Sequence, residues 1–234
     1  MSLEIKHIFV SAKAPGTDAS KVRSGDWNAL LDATMIGPAV LGRTLPGRGP
    51  VTALSATAAG LAVLAAADAA AQRAALGFQR FEASLPATTG TQLDFTGIPA
   101  GINRVTLQFT DLSTNGTAAI IVQLGTSAGI EATNYLGAAA RLEATPAYAN
   151  LSSGFEVPGN VATAVRHGTL TLVRRPGGNV WTAEGQIARS DIAGIGIVAG
   201  YKSLAGVLDR VRITTVGGSN AFDGGTINII GEAP

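Results

Sequence analysis

Hydrophobic positions follow three regimes along the chain. From residue 90 to 232 they recur at every second position in short runs, the period of a strand with one buried face. Residues 104–110 alternate Val105, Leu107 and Phe109 with polar partners, and 210–216 repeat the pattern with Val211 and Ile213 inward. Residues 118–124 form an apolar run interrupted only by Gln123, which predicts a strand covered on both faces. Residues 169–174 and 180–187 flank Arg175-Pro-Gly-Gly-Asn179, the mark of a hairpin with a Gly-rich loop. Gly217-Gly-Ser-Asn220 reads as a turn and residues 226–230 as a closing strand. Roughly eight short strands, turn signals at roughly ten-residue spacing and no helical period predict a jelly-roll-like antiparallel β-sandwich over residues 80–234.

Residues 51–79 follow a different rule. Thirteen of the 23 positions from Ala53 to Ala75 are Ala, the strongest helix former. Gly60 divides the stretch, so two short helices are expected. One covers about residues 55–65; the other covers 69–76, capped by Asp68 and closed by Gly77. Leu54 and Leu61 stand seven apart, Leu64 follows, and Leu76 lies on the second helix. Such a seam suits contact between helices. Helices this short are marginal alone, so these four leucines are candidates for a stem shared between copies of the chain.

Residues 1–50 show no sustained period. Ile8-Phe9-Val10 predicts a short strand, and Lys13-Ala-Pro-Gly a turn. Ser24 or Asp26 caps a short helix over residues 27–31. Two Pro-Gly punctuations between Leu41 and Pro50 argue against a regular element there. The segment reads as an arm that lies on another protein.

Composition narrows the chemistry. The 234 residues include 30 Gly, two His and no Cys, only 14% are charged, and the net charge is +1. Without Cys there is no disulfide framework, thiolate metal site or cysteine nucleophile. The balance of charge supplies no field for a nucleic-acid backbone. The start of the chain has no apolar run of a signal peptide, and the apolar stretch 54–67 is too short to span a bilayer before Asp68 ends it, so no membrane insertion is expected. Ten of the twelve aromatic residues lie from Phe78 onward, which places the core there. Sparse charge and many small residues point to a surface partly hidden by partners.

Individual residues offer little catalysis. His7 and His167 are far apart, and the carboxylates, Glu156 among them, are scattered, with no spacing that pairs any two. Arg166 and His167 with Arg174 and Arg175 read as a basic cluster. Asp223-Gly-Gly-Thr226 reads as a turn leading into a strand, without the alternating oxygen ligands of a calcium loop. Gly194-Ile-Gly-Ile-Val-Ala-Gly200 lacks the spacing of a dinucleotide loop. No catalytic residue, cofactor or metal is expected. Tyr135, Tyr148, Trp181 and Tyr201 are candidates for receptor contact, because aromatics with a polar handle are over-used at interfaces; the alternation around Trp181 also suits a core position.

Three stretches carry a resemblance. Ala53-Leu-Ser-Ala-Thr through Asp68-Ala-Ala-Ala-Gln-Arg-Ala-Ala-Leu-Gly77 resembles a linker that recurs in bacteriophage tail-fibre and tail-spike proteins. Leu93-Asp-Phe-Thr-Gly-Ile-Pro-Ala-Gly-Ile-Asn-Arg-Val-Thr-Leu-Gln-Phe109, continuing through Ser113-Thr-Asn-Gly116, Val122-Gln-Leu-Gly125 and Tyr135-Leu-Gly137, resembles part of a C-terminal β-domain of phage, prophage and gene-transfer-agent fibres, as does the stretch 212–230. Ser24-Gly-Asp-Trp-Asn-Ala-Leu30 looks like the attachment region of such fibres. The resemblance implies a non-enzymatic virion protein, assembled in the bacterial cytoplasm into a phage or phage-like particle. It implies a homotrimer, docked on other virion proteins through Asp26, Trp27 and Asn28, whose distal domain binds a host-surface glycan or protein. Such fibres are often longer and repetitive, whereas this chain has one compact distal domain. Two alternatives therefore stay open: a head fibre or decoration protein without a receptor role, and a polysaccharide-depolymerising spike, which needs two converging carboxyls.

Overall fold

The period-two segments fold as strands, paired antiparallel throughout. The computed structural model describes residues 57–233 and, nearer the N-terminus, the backbone pairing of four strands: β1 (Leu3–His7) with β2 (Leu31–Met35), and β3 (Ala39–Gly42) with β4 (Thr52–Ser55). Asp26, Trp27 and Asn28, the expected strand at 8–10 and the expected helix cap lie outside the described residues. Two expectations change here. Leu31 opens a strand instead of closing a helix, and Leu41 lies in β3, where no regular element was expected.

The chain divides into two units, Met1–Leu76 and Gly77–Pro234. The first contains α1 (Ala58–Leu64) and α2 (Ala69–Ala75). Asp68 caps α2 as expected, its carboxylate accepting from the Ala71 N–H at 2.8 Å, and Gly77 follows at φ +85°. Helix α1 begins later than expected, at a Thr57 cap. Leu54 is therefore no part of a helical seam: it sits in β4 opposite Val40. Pairing with Ala39-Val-Leu41 offers this stretch several backbone hydrogen bonds, against the costly first turn of a helix. Leu61 and Leu64 remain on α1 and Leu76 follows α2; no residue of either helix is buried.

The second unit holds two sheets. The larger runs, in spatial order, β11 (Ala147–Asn150), β10 (Tyr135–Leu142), β15 (Gly194–Ser203), β14 (Val180–Arg189), β13 (Arg166–Arg174), β7 (Arg104–Thr114), β17 (Phe222–Glu232) and β5 (Arg80–Pro86). The smaller runs β12 (Phe155–Val157), β8 (Ile120–Thr126), β16 (Arg210–Thr215) and β6 (Gln92–Thr96), with β9 (Gly129–Glu131) also pairing β8. One hydrophobic cluster joins them. Val105, Leu107, Phe109, Leu170, Leu172, Ile227 and Ile229 come from the larger sheet; Phe95, Val122, Leu124, Val211 and Ile213 come from the smaller. Every residue of β8 is buried, Gln123 and Thr126 included, as its largely apolar run predicts.

The expected antiparallel sandwich is present. The jelly-roll winding is a finer statement that this strand order does not carry, because β13, β14 and β15 follow one another as a meander within one sheet. The unit also has thirteen described strands, more than expected. Asp223-Gly-Gly-Thr226 is not a turn before a strand but an irregular stretch inside β17, where the register with β7 shifts. Gly225 adopts φ +99° there, and a Cβ on it would meet the Asp111 carbonyl at 2.5 Å.

Two substitutions test this packing. Leu107 is fully buried on β7, between β13 and β17; Leu107→Ala is expected to lower the unfolding free energy by about 2–5 kcal/mol in urea titrations. Gly168 has φ +146°, and a Cβ would lie 2.1 Å from the Gln186 carbonyl oxygen. Gly168→Ala is expected to lower stability by about 1–3 kcal/mol in the same titration; wild-type midpoints for both variants would contradict the register.

Candidate contact site

The four aromatic candidates separate by the face on which their strand register puts them. Tyr135 and Trp181 point inward and are 1% exposed, so neither is a receptor contact. Trp181 alternates with Ala183 on β14, which turns both to the core. Tyr135 lies opposite Lys202 across β10 and β15, and both side chains are buried. Tyr148 is 78% exposed and Tyr201 44% exposed. Tyr201 lies on the outer face of the larger sheet opposite Leu136, and Tyr148 lies opposite Ala140 on the edge strand β11.

A cavity of about 60 Å³ opens beside Tyr148. Alanines of β10 and β11 line its apolar part, and Arg141, Glu156 and Asn160 its polar part. The Asn160 amide donates to Glu156 Oε1 at 3.0 Å. Because Glu156 only accepts, this bond orients the amide and leaves Asn160 Oδ1, a buried atom, without a partner among the described residues. The site therefore offers an exposed aromatic ring and a small apolar floor, with Arg141, Glu156 and the Asn160 amide at its polar edge. Its volume suits one small group of a larger ligand, such as a hydroxyl-bearing edge, and is well below that of a pocket for a whole small molecule.

Ion pairs brace the neighbouring surface. Arg189 donates to Glu143 Oε1 at 2.9 Å and through Nε to Asp191 Oδ1 at 3.1 Å. The Arg189 hydrogen bonds hold the Asp191 carboxyl below its usual range, against the opposing effect of burial, and the same bonds raise the Arg189 guanidinium. Arg141 stands 4.0 Å from Glu143. Two further carboxylates are similarly committed: Asp94 forms a two-point pair with Arg212, and Glu131 binds Lys202 at 2.7 Å.

The expected basic cluster does not form. Arg166 and Arg174 occupy opposite ends of β13. Arg166 is fully buried, and its guanidinium donates to the Leu112, Ala164 and Gly159 carbonyls. Burial and the nearby Arg189 charge push it down to about 10, against the opposing charges of Asp191 and Asp223. It staples the turn before β13 instead of facing a partner. His167 lies within β13, not in a turn ahead of it; its Nδ1 accepts from the Asp111 N–H at 3.3 Å and its Nε2 lies 2.9 Å from Ser190 Oγ. Residues 194–200 belong to the extended strand β15. Among the described residues no three His, Asp or Glu side chains gather as a metal site, and no helix is long and apolar enough to cross a membrane.

The polar part of the cavity was not foreseen from sequence. Glu156 stood among scattered carboxylates, and Asn160, beside Pro158-Gly159, carries only the signature of a turn. Compared with known proteins, the chain matches no protein-family model, no curated protein and no solved structure.

Acid titration tests the paired carboxylates. Burial raises the Glu131 carboxyl, but hydrogen bonds from Lys202 and the Ala205 N–H, with the Lys202 charge, outweigh it and leave it lowered. A lowered folded value contributes stability that is complete above the ordinary Glu value of 4.5 and is lost as pH falls through the folded value. The urea midpoint should therefore fall below that pH, and Glu131→Gln should make the fall shallower. An identical acid limb in the variant would contradict the pair.

Proposed function

We propose that the chain is a virion structural protein, a short trimeric tail fibre or spike of a phage or phage-like particle. It attaches non-covalently to the host surface. The observation that carries the binding part of this reading is Tyr148, mostly exposed at a sheet edge beside a small cavity that Glu156 and Asn160 line. The fibre part rests on the resemblance of three stretches, and their positions are informative. They fall on the helices and on framework strands β6, β7, β16 and β17, with the second continuing into β7, β8 and the start of β10. Tyr148, Glu156 and Asn160 lie outside all three. A shared framework carrying its own contact surface is what attachment to a particular host requires.

In this reading residues 1–50, with Asp26, Trp27 and Asn28, dock on other virion proteins, and the β-unit faces outward. Three weak sites on one spike gain avidity through effective concentration, so a small contact at each Tyr148 suffices. The ligand is a glycan or protein on the cell surface, held without chemical change. No nucleic acid, cofactor or membrane insertion takes part.

Gold-labelled antibody against the β-unit is expected to decorate the tail or spike of intact particles. Labelling over the capsid alone would identify a decoration protein, and unlabelled particles would refute the virion reading. Full-length protein is expected to bind host cells, with Tyr148→Ala lowering binding at least tenfold while the urea midpoint stays within about 0.5 kcal/mol of wild type. Release of new reducing ends from host polysaccharide would point to the enzyme class instead.

A further inference from the structure

A sheet face open to solvent carries polar side chains at its outward positions. The middle of the larger sheet obeys this: Gln108 on β7, Thr169 on β13, and Glu184 and Gln186 on β14 face outward and are exposed. At β10 and β15 the rule fails. The register sets Leu136 opposite Tyr201, Ala138 opposite Ala199, Ala140 opposite Ile197 and Leu142 opposite Ile195. These eight side chains share the outer face, since the alternate positions Tyr135, Ala139, Val198 and Lys202 are buried on the inner one. None of the eight is charged.

The five large members are 41–51% exposed. At roughly 200 Å² of surface each, they and the three alanines leave on the order of 500 Å² of contiguous apolar area. That is near the upper end of what a soluble monomer leaves open, and more than half of the roughly 800 Å² each partner gives to a stable interface. An uncharged aliphatic face gains nothing from an ionic partner. It is matched in chemistry by the same face on the other two copies of a trimer, the three faces converging on one threefold axis, with Thr182, Glu184 and Gln186 of β14 beside it as a polar rim. The helical unit independently lacks any buried residue in α1 or α2, so within one chain both units leave apolar surface uncovered.

We propose that the outer face of β10 and β15 is the contact between the β-units of neighbouring copies of this chain. The proposal rests on the oligomeric reading above and adds the surface that makes the contact. It assigns Tyr201 to the interface; Tyr148, opposite Ala140 on β11, stands at the outer margin of the same face and is the candidate there for an external ligand.

The chain contains no Cys, so one substitution introduces a single thiol. Full-length Ala199→Cys and Gln108→Cys, both at exposed outward positions, are reacted with a maleimide. Each native rate is divided by the rate in urea, and light scattering gives the mass of the same samples. Ala138→Cys serves as a second probe of the face, and circular dichroism confirms folding. The proposal expects a multimer in which the Ala199→Cys and Ala138→Cys thiols react at least tenfold more slowly than the Gln108→Cys thiol. Equal rates in a multimer would overturn this interface while leaving the oligomeric reading intact. A single-chain mass would overturn both, whatever the rates. Protection that arises only after lipid vesicles are added would assign the face to a different occupant and overturn the proposal.

Discussion

Tyr135 ties the two sheets of the β-unit together. Its ring meets Phe155 of the smaller sheet edge-to-face, with centroids 5.1 Å apart. Its hydroxyl accepts from the Leu124 N–H at 2.7 Å and donates to the Glu131 carbonyl at 2.9 Å. Lys202 lies 5.6 Å from the ring centroid and is neutralised by Glu131. Burial raises the phenol well above its usual range, so it remains a neutral donor. The aromatic pair and the cation over the ring are each worth about 0.5–2 kcal/mol. Their larger effect is geometric: they turn the inner face of β10 and β15 toward the core, and the register then fixes what the outer face displays.

That outer face accounts for the low charge of the sequence. The ionisable groups of the β-unit are largely spent on pairs that brace its surface, such as Arg189 with Glu143 and Asp191, and Arg212 with Asp94. Few charges remain to solvate a broad sheet, and the outward positions of β10 and β15 opposite one another carry none. Sparse charge is thus concentrated at one end of one sheet, where a copy of the chain is a suitable cover. Adjacent to it, β11 carries Tyr148 on the sheet edge, so assembly and ligand contact occupy neighbouring strands of the same element.

The sequence shows the framework well because β7, β8, β13 and β16 bury large aliphatic side chains at alternate or successive positions, and no other packing hides them. The Asp68 cap and Gly77 are equally plain, being local chemistry. Strands β10 and β15 were not legible, since Gly and Ala occupy so many of their positions that the alternation of size disappears. Tyr135 reads as a surface contact because an aromatic with a polar atom suits a core that supplies a partner as well as it suits a surface, whereas the alternation around Trp181 already allows the core position it takes. Arg166 looked like surface charge; only the fold brings the Leu112, Ala164 and Gly159 carbonyls around it. The cavity at Asn160 depends on β11 and the turn after β12 meeting, which no local pattern encodes.

The account stands on the assembly of this chain with copies of itself. Multi-angle light scattering of the full-length protein at micromolar concentration measures that directly. A mass three times that of the chain, unchanged on dilution, is the predicted result. The mass of a single chain would contradict it.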